Sequence, residues 1–224
     1  MSWGFNPADQ IERQMQQDAH RTWGFVIYRT TYDSDADWTE FIARLRFRMD
    51  DTFEWVDGQN ILQNFSLTVF DDREQFDGAS TQAVRQHFLQ WSVASYRDEQ
   101  RSTGEQGSEA SPPSRTLLGR SPRYRYAVAV DAESPRSVAR EAAAPAELDV
   151  STTGWVKLID KSWYLGRSLG RDPEDYPAIE GVTERDVGWM QVTYWDVMSE
   201  FYVRSESMNF WSQNYRRPPR VVVL

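Results

Sequence analysis

Apolar residues along the chain follow two recurring patterns, one typical of strands and one of helices. Residues 24–32 (GFVIYRTTY) and 124–131 (YRYAVAVD) place β-branched and aromatic side chains alternately on two faces, which predicts strands. Further strands are predicted at 64–70, 154–160 and 187–194, with a short edge strand or extended tail at 221–223.

The clearest helix follows the first strand. Its apolar residues fall at i, i+3, i+4, i+7 and i+11 and form one stripe: Trp38, Phe41, Ile42, Leu45 and Met49. Ser34, with Asp37 three residues later, resembles a capping box. Other helices are predicted from about Ser80, over 134–144 and over the aromatic-rich segment 196–214.

The predicted element order is β-α-β-α, a loop, and then β-α-β-β-α. Because strands outnumber crossover helices in the second half, we expect an α+β fold. It would have a mostly antiparallel sheet with helices packed on one face, of ferredoxin-like character. The polar, Gln-rich residues 1–21 suggest a flexible N-terminal arm, and 22–224 a single domain with a disordered loop at about 98–122.

Composition narrows the functional classes. The chain has no cysteine, which excludes disulfides, zinc–thiolate sites and a cysteine nucleophile. The N-terminal residues lack the apolar core of a secretory signal, and no apolar run approaches the roughly 20 residues that span a bilayer. We therefore expect a cytoplasmic protein with no membrane partner. The net charge of −9 argues against generic DNA binding and favours cationic ligands.

The most specific candidate site is an acidic cluster at the end of the first helix. If that helix continues, Asp50 and Glu54 are four residues apart and Asp51 and Glu54 three, so like charges crowd one face. Something should compensate, either the nearby Arg46 and Arg48 or a ligand. The three carboxylates suit Mg²⁺, a guanidinium, or general-base chemistry.

Aromatic residues are dense in the second half of the chain. Most should be core, but the alternation around Trp189 can leave aromatic side chains lining a pocket. Asp186 lies close to Trp189 in the sequence and is a weaker candidate. The two histidines, His20 and His87, are far apart, so a structural zinc site is not expected.

Four segments together resemble a group of small fungal proteins, and within it the arginine-containing cyclodipeptide synthases. The segments are residues 22–32 (TWGFVIYRTTY), the motif Asp50-Asp51-x-x-Glu54, residues 176–190 and the ending Tyr215–Pro219. The resemblance covers most of the chain except the arm and the loop.

This resemblance implies an aminoacyl-tRNA-dependent enzyme. Arginyl-tRNA and a second aminoacyl-tRNA would be the partners, and two peptide bonds would close a diketopiperazine ring. The esters are already activated, so no cofactor and no metal are expected. Asp50, Asp51 and Glu54 would be catalytic, holding arginine or acting as base. Asp186, Trp189 and Tyr28 would contact the substrate.

Binding of tRNA is largely electrostatic and would need a local basic surface on this acidic chain. The arginines available for it are Arg44, Arg46, Arg48, Arg123, Arg125, Arg216, Arg217 and Arg220.

Two other functional classes stay open. The acidic motif also resembles the Mg²⁺–diphosphate motif of terpene cyclases, but those enzymes are larger and all-helical. A non-catalytic small-molecule or protein-binding module with aromatic pockets is the remaining alternative.

Overall fold

A computed structural model describes residues 6–100, 121–142, 153–166 and 176–224, which are built around a six-stranded sheet. The strands are β1 (Val26–Arg29), β2 (Val69–Phe70), β3 (Tyr126–Val130), β4 (Trp155–Asp160), β5 (Trp189–Thr193) and β6 (Val221–Val222). Their order across the sheet is β2-β1-β3-β4-β5-β6. The strand predictions are therefore confirmed in position, although β2 is much shorter than predicted.

Two long helices and several short ones surround the sheet. They are α1 (Pro7–Asp18), α2 (Asp35–Trp55), α3 (Gln59–Leu62), α4 (Arg73–Phe76), α5 (Thr81–Gln100), α6 (Glu133–Arg136), α7 (Tyr202–Arg204) and α8 (Phe210–Asn214). Wider π-type turns at Ser137–Glu141 and Val197–Phe201 extend α6 and precede α7, and a 3₁₀ turn spans Pro122–Tyr124.

The α+β class is confirmed, but the sheet is mixed and not mostly antiparallel. β1 pairs in parallel with β2 and β3, and β5 in parallel with β6. Only the pairings of β4 with β3 and β5 are antiparallel. Five strands thus point one way, because α2, α5 and the helical segment after β5 are crossovers between parallel strands. The prediction of a mostly antiparallel, ferredoxin-like sheet does not fit this order.

Helices cover both faces of the sheet, so the prediction of helices on one face is also wrong. Ile27 and Val128 pack with α2 in one core, whereas Val26, Tyr28 and Ala127 pack with α5 in the other. β1 and β3 therefore present apolar side chains on both faces of the sheet, as strands buried between two layers do.

The predicted helix after β1 is confirmed as α2, and its start is confirmed with it. The Ser34 hydroxyl accepts a hydrogen bond from the Asp37 backbone N–H at 3.1 Å, which satisfies one free donor of the first turn. Phe41, Leu45 and Phe53 are buried in the core on that side of the sheet.

The segment that we expected to be a flexible arm contains helix α1. The Asn6 side chain caps it by accepting from the Ala8 N–H at 2.8 Å, and Ala8 and Ile11 are buried in the core. Its apolar stripe is narrow and lies among glutamines, which is why the sequence reads as a polar arm. Of the predicted loop at 98–122, residues 98–100 end α5, and 101–120 lie outside the described residues.

A fully buried arginine ties the start of the sheet to the end of α5. Arg123 donates to the Gly24 carbonyl at 2.8 Å and to the Thr68 hydroxyl at 2.8 Å. Its guanidinium also forms two bonds to the Glu99 carboxylate, at 2.6 and 2.8 Å. Such a paired, multiply bonded charge is tolerated in a core because its donors are satisfied.

The connections that leave the carboxyl ends of the parallel strands run in different directions. Those after β1 and β3 turn to one face, where α2 and α6 contact each other, and the connection after β2 turns to the other face and enters α5. Divergent connections from neighbouring parallel strands leave a crevice at the carboxyl edge of a sheet, the common ligand site of such folds.

Candidate functional site: an acidic crevice at the carboxyl edge of the sheet

A cavity of about 500 Å³ lies between these diverging connections, on the α5 side of the sheet. Thr30 and Thr31 follow β1, and residues Asp131–Glu133, which lead into α6, follow β3. Asp77–Ala79, from the connection between α4 and α5, forms the facing wall. Side chains of β4 and β5 form the floor, so the site, here called the crevice, stands mainly on rigid elements.

The walls of the crevice are strongly acidic. Four carboxylates line it, from Asp33, Asp77, Asp131 and Glu133, against the single ammonium group of Lys157. Lys157 Nζ lies 2.7 Å from Asp131 Oδ2 and 3.8 Å from Glu180 Oε1, just outside the crevice. The lysine charge is therefore already paired. Asp33 and Asp77 also have ion-pair partners, Arg136 Nη2 at 3.6 Å and Arg73 Nε at 3.5 Å, so the negative potential of the crevice comes from a small excess of carboxylates over cations.

The floor contains two buried polar atoms that have no hydrogen-bond partner among the described residues. They are the indole N–H of Trp189 and the amide oxygen Oε1 of Gln191, both on side chains only 6% exposed. Lys157 Nζ lies 4.3 Å from the centroid of the Trp189 ring and covers one face of it. An unpaired buried donor or acceptor costs about 1–3 kcal/mol. Both atoms have almost no accessible surface, so a ligand in the crevice reaches them only if the side chains that cover them move.

Local backbone features hold the two walls. The Asp131 carboxylate accepts from the backbone N–H groups of Glu133, at 3.1 Å, and Ser134, at 3.2 Å, and so fixes the turn into α6. Gly78 has φ +68° and donates its N–H to the Thr30 carbonyl at 3.2 Å. This left-handed turn brings the Asp77–Ala79 wall against the end of β1.

The predicted catalytic carboxylates lie elsewhere. Asp50, Asp51 and Glu54 are exposed on the outer surface of α2, beside Trp55, which is 90% exposed. They do not line the crevice. Within the described ranges, histidine and acidic side chains form no group of three or more able to hold a metal ion.

The three predicted substrate contacts have separate roles. Trp189 lines the crevice. Asp186 is buried and accepts from the Trp211 indole N–H at 3.0 Å and the Gly188 N–H at 2.8 Å, bonds that organise the start of β5. The Tyr28 hydroxyl lies 2.8 Å from His87 Nδ1 within the core on the α5 side. Burial raises the pKa of Tyr28 and lowers that of His87.

Sequence reasoning missed most of the crevice. Besides Trp189, Asp131 carried a usable signal, because it ends a strand that the alternation predicts, and functional residues collect at the carboxyl ends of parallel strands. Asp77, Glu133, Lys157 and Gln191 carry none, since only the strand order brings them together.

Most arginines proposed for a tRNA-binding surface are engaged within the protein. Four of them donate to backbone carbonyls: Arg44 to Val138, Arg123 to Gly24, Arg125 to Ser207 and Arg217 to Pro177. Arg48 is buried. Arg46, Arg216 and Arg220 remain exposed.

Comparison with known proteins gave no match to a family model, to a curated protein or to a solved structure. In the part of the chain that the structure describes, every helix is too short or too polar to cross a membrane. The fold and site define an α+β protein with a mixed sheet and a crevice at the carboxyl edge of that sheet, and function is inferred from the crevice itself.

If the Gln191 amide oxygen is reserved for a ligand, its removal should not harm the ligand-free fold. We expect Gln191→Met to leave the free energy of unfolding unchanged or to raise it by up to about 1–3 kcal/mol. Thr193→Val, on the same strand, is the matched control. It removes a buried hydroxyl that donates to Asp196 Oδ1 at 2.5 Å, and should lower the free energy by about 1–3 kcal/mol.

Urea unfolding of both ligand-free variants measures the difference. An equal loss of stability in the two variants would mean that Gln191 has a structural partner and is not held for a ligand.

Proposed function

We propose that the crevice binds a small cationic molecule of the arginine type. The single observation that carries the proposal is the combination of four wall carboxylates with an unpaired buried donor and acceptor in the floor. Neither feature alone distinguishes a ligand site from an ordinary acidic surface. Together they describe a place where charge attracts a cation and directional groups orient it.

The chemistry of the walls fits a guanidinium. A guanidinium presents several N–H donors in one plane and pairs with carboxylates through charge-assisted bonds. Asp77 and Glu133 are exposed at the two walls, and Gln191 Oε1 offers a further acceptor in the floor. The Trp189 indole N–H would donate to an acceptor on the ligand, such as a carboxylate.

The size and shape of the crevice fit a metabolite and not a macromolecule. Its volume of about 500 Å³ lies within the range of roughly 300–1,000 Å³ typical of small-molecule sites. Trp155, a half-buried lining residue from β4, offers an aromatic face for the aliphatic or cationic part of the ligand.

Arginine and its neutral isostere citrulline test the proposal directly. By isothermal titration calorimetry, we expect arginine to bind and citrulline to bind at least about tenfold more weakly, because only the charged form gains charge-assisted bonds. Asp77→Asn combined with Glu133→Gln should weaken arginine binding by about tenfold or more.

The matched control is Asp50→Asn with Glu54→Gln, on the outer face of α2. It should change arginine affinity by no more than about twofold, because exposed charges contribute little. Equal binding of arginine and citrulline, or a larger loss in the α2 variant, would contradict the proposal.

A second candidate function is the aminoacyl-tRNA-dependent synthesis of arginine-containing cyclodipeptides. The acidic crevice supports it, because this reaction requires a site that holds an arginine side chain. In each step an α-amine attacks an ester carbonyl, a peptide bond forms, and the tRNA ribose hydroxyl leaves with the amine proton. We infer that the arginyl group would occupy the crevice and that Asp50, Asp51 and Glu54 would lie outside it.

Expression in a bacterial host, followed by mass spectrometry for arginine-containing diketopiperazines, tests this second function. We expect the wild-type chain and the Asp50→Asn/Asp51→Asn/Glu54→Gln variant to make the product, and Asp77→Asn/Glu133→Gln to lose at least about nine-tenths of it, the tenfold effect on binding. Soluble wild-type protein that yields no product would exclude the synthase. Product loss confined to the α2 variant would move the site to the helix surface.

A further inference from the structure

The crevice already contains a cation of its own, the ammonium group of Lys157. Its Nζ lies 2.7 Å from Asp131 Oδ2 and 4.3 Å from the centroid of the Trp189 ring, and the side chain is only 15% exposed. Lys157 on β4 is also the direct partner of Gln191 on β5, so the two side chains are neighbours on one face of the sheet. Lys157 is therefore one of the side chains that cover the floor.

The two oxygens of the Asp131 carboxylate have different partners. Oδ1 accepts from the backbone N–H groups of Glu133 and Ser134, at 3.1 and 3.2 Å, and from the Ser134 hydroxyl at 3.2 Å. These bonds hold the carboxylate at the start of α6 and do not involve Oδ2, which contacts Lys157. If the ammonium group leaves, Asp131 keeps its position and presents Oδ2 to another cation.

Glu180 offers Lys157 a second carboxylate, just outside the crevice. Its Oε2 accepts from the Thr81 N–H at 3.0 Å and from the Thr81 hydroxyl at 2.7 Å, at the first residue of α5. Its Oε1 lies 3.8 Å from Lys157 Nζ, within the range of an ion pair but beyond that of a hydrogen bond. A rotation of the flexible lysine side chain can therefore exchange Asp131 for Glu180, and the ammonium charge stays paired in both positions.

A guanidinium has more to gain at Asp131 than this ammonium group has. An ammonium carries three N–H donors, and within the described residues one carboxylate oxygen lies at hydrogen-bond distance from Lys157 Nζ. A guanidinium has five donors in a planar fork, which pairs with a carboxylate through two parallel bonds. Asp131 Oδ2 is thus an atom for which a ligand of the arginine type can compete with Lys157.

We propose that Lys157 is an internal competitor for the cation that binds in the crevice. Its ammonium group holds Asp131 Oδ2 until a guanidinium takes that atom, and then moves to Glu180 Oε1. This inference rests on the proposed function, because it concerns how the same cation gains access to the same site. The affinity measured for the cation is then its intrinsic affinity multiplied by the fraction of molecules in which Lys157 has left Asp131.

The lysine side chains report the exchange directly, because the chain has only two lysines, Lys157 and Lys161. In protein labelled with ¹³C-lysine, the Trp189 ring should shift the ε-methylene signal of Lys157 upfield, since the ammonium group lies over the ring face. Saturation with arginine should remove most of this upfield shift. Lys161, whose Nζ lies 3.1 Å from Ser92 Oγ and outside the crevice, is the internal reference and should not move.

Lys157→Ala tests the competition by affinity. In titration calorimetry the variant should bind arginine at least about tenfold more tightly than the wild-type chain, because the charge-assisted contact that must break first is worth about that much or more. The matched control, Arg136→Gln, removes one exposed cation that lies 3.6 Å from Asp33 and leaves the floor unchanged. It should strengthen binding by no more than about threefold, because exposed ion pairs contribute little.

Arginine that binds the wild-type chain without moving the Lys157 signal would overturn the inference and leave the crevice proposal intact. This signal is read in the wild-type chain, so it decides the question even if the alanine variant is unstable. Equal affinities of the two variants, or weaker binding by Lys157→Ala, would overturn the inference as well. If neither the wild-type chain nor Lys157→Ala binds arginine, the crevice proposal fails and the inference fails with it.

Discussion

The burial of β1 and β3 on both faces is the constraint from which the rest of the structure follows. Ile27 and Val128 face α2, whereas Val26 and Ala127 face α5. Two apolar faces need two helical layers, so successive connections must leave the carboxyl edge in opposite directions. The crevice is the space between them, and its walls come from the residues after β1 and β3 and from the connection between α4 and α5.

The crevice contains two features that lower stability, unpaired buried polar atoms and neighbouring carboxylates. The buried charge of Arg123 is well paired, with Glu99 and the carbonyl of Gly24. In the crevice floor, Trp189 and Gln191 bury polar atoms with no partner, and the walls crowd carboxylates. Other buried polar atoms of the described residues also have no hydrogen-bond partner, among them Gln14 Nε2, Tyr194 Oη and Trp195 Nε1. The floor is therefore distinguished by its position beside an acidic cavity and not by the unpaired atoms alone.

Local signals in the sequence predicted local structure well. The apolar stripe of α2, its Ser34 cap and the alternation of β3 are confirmed, because each depends on neighbours within one element. Strand direction was missed because it depends on which crossover each connection makes. The burial of Ile11 was missed because a narrow apolar stripe can be recognised as buried only when the core that it packs against is known.

The residues of the candidate site were harder to predict than the secondary structure, for a related reason. Asp50, Asp51 and Glu54 are adjacent in sequence and therefore conspicuous, yet α2 relieves their repulsion by exposing them to water. Asp33, Asp77, Asp131 and Glu133 are spread over 100 residues and meet only through the strand order. Of the predicted site residues, Trp189 alone lines the crevice, because alternation within β5 sets the face on which it lies.

The central claim is that a cation enters the crevice and reaches its floor, and the indole N–H signal of Trp189 reports this most directly. In ¹⁵N-labelled protein the ten tryptophans give separate indole signals, and Trp189→Phe assigns the relevant one. Saturation with arginine should shift the Trp189 signal, and citrulline at the same concentration should leave it in place. An unmoved Trp189 signal, or a dominant shift at Trp55 beside the α2 carboxylates, would contradict the account.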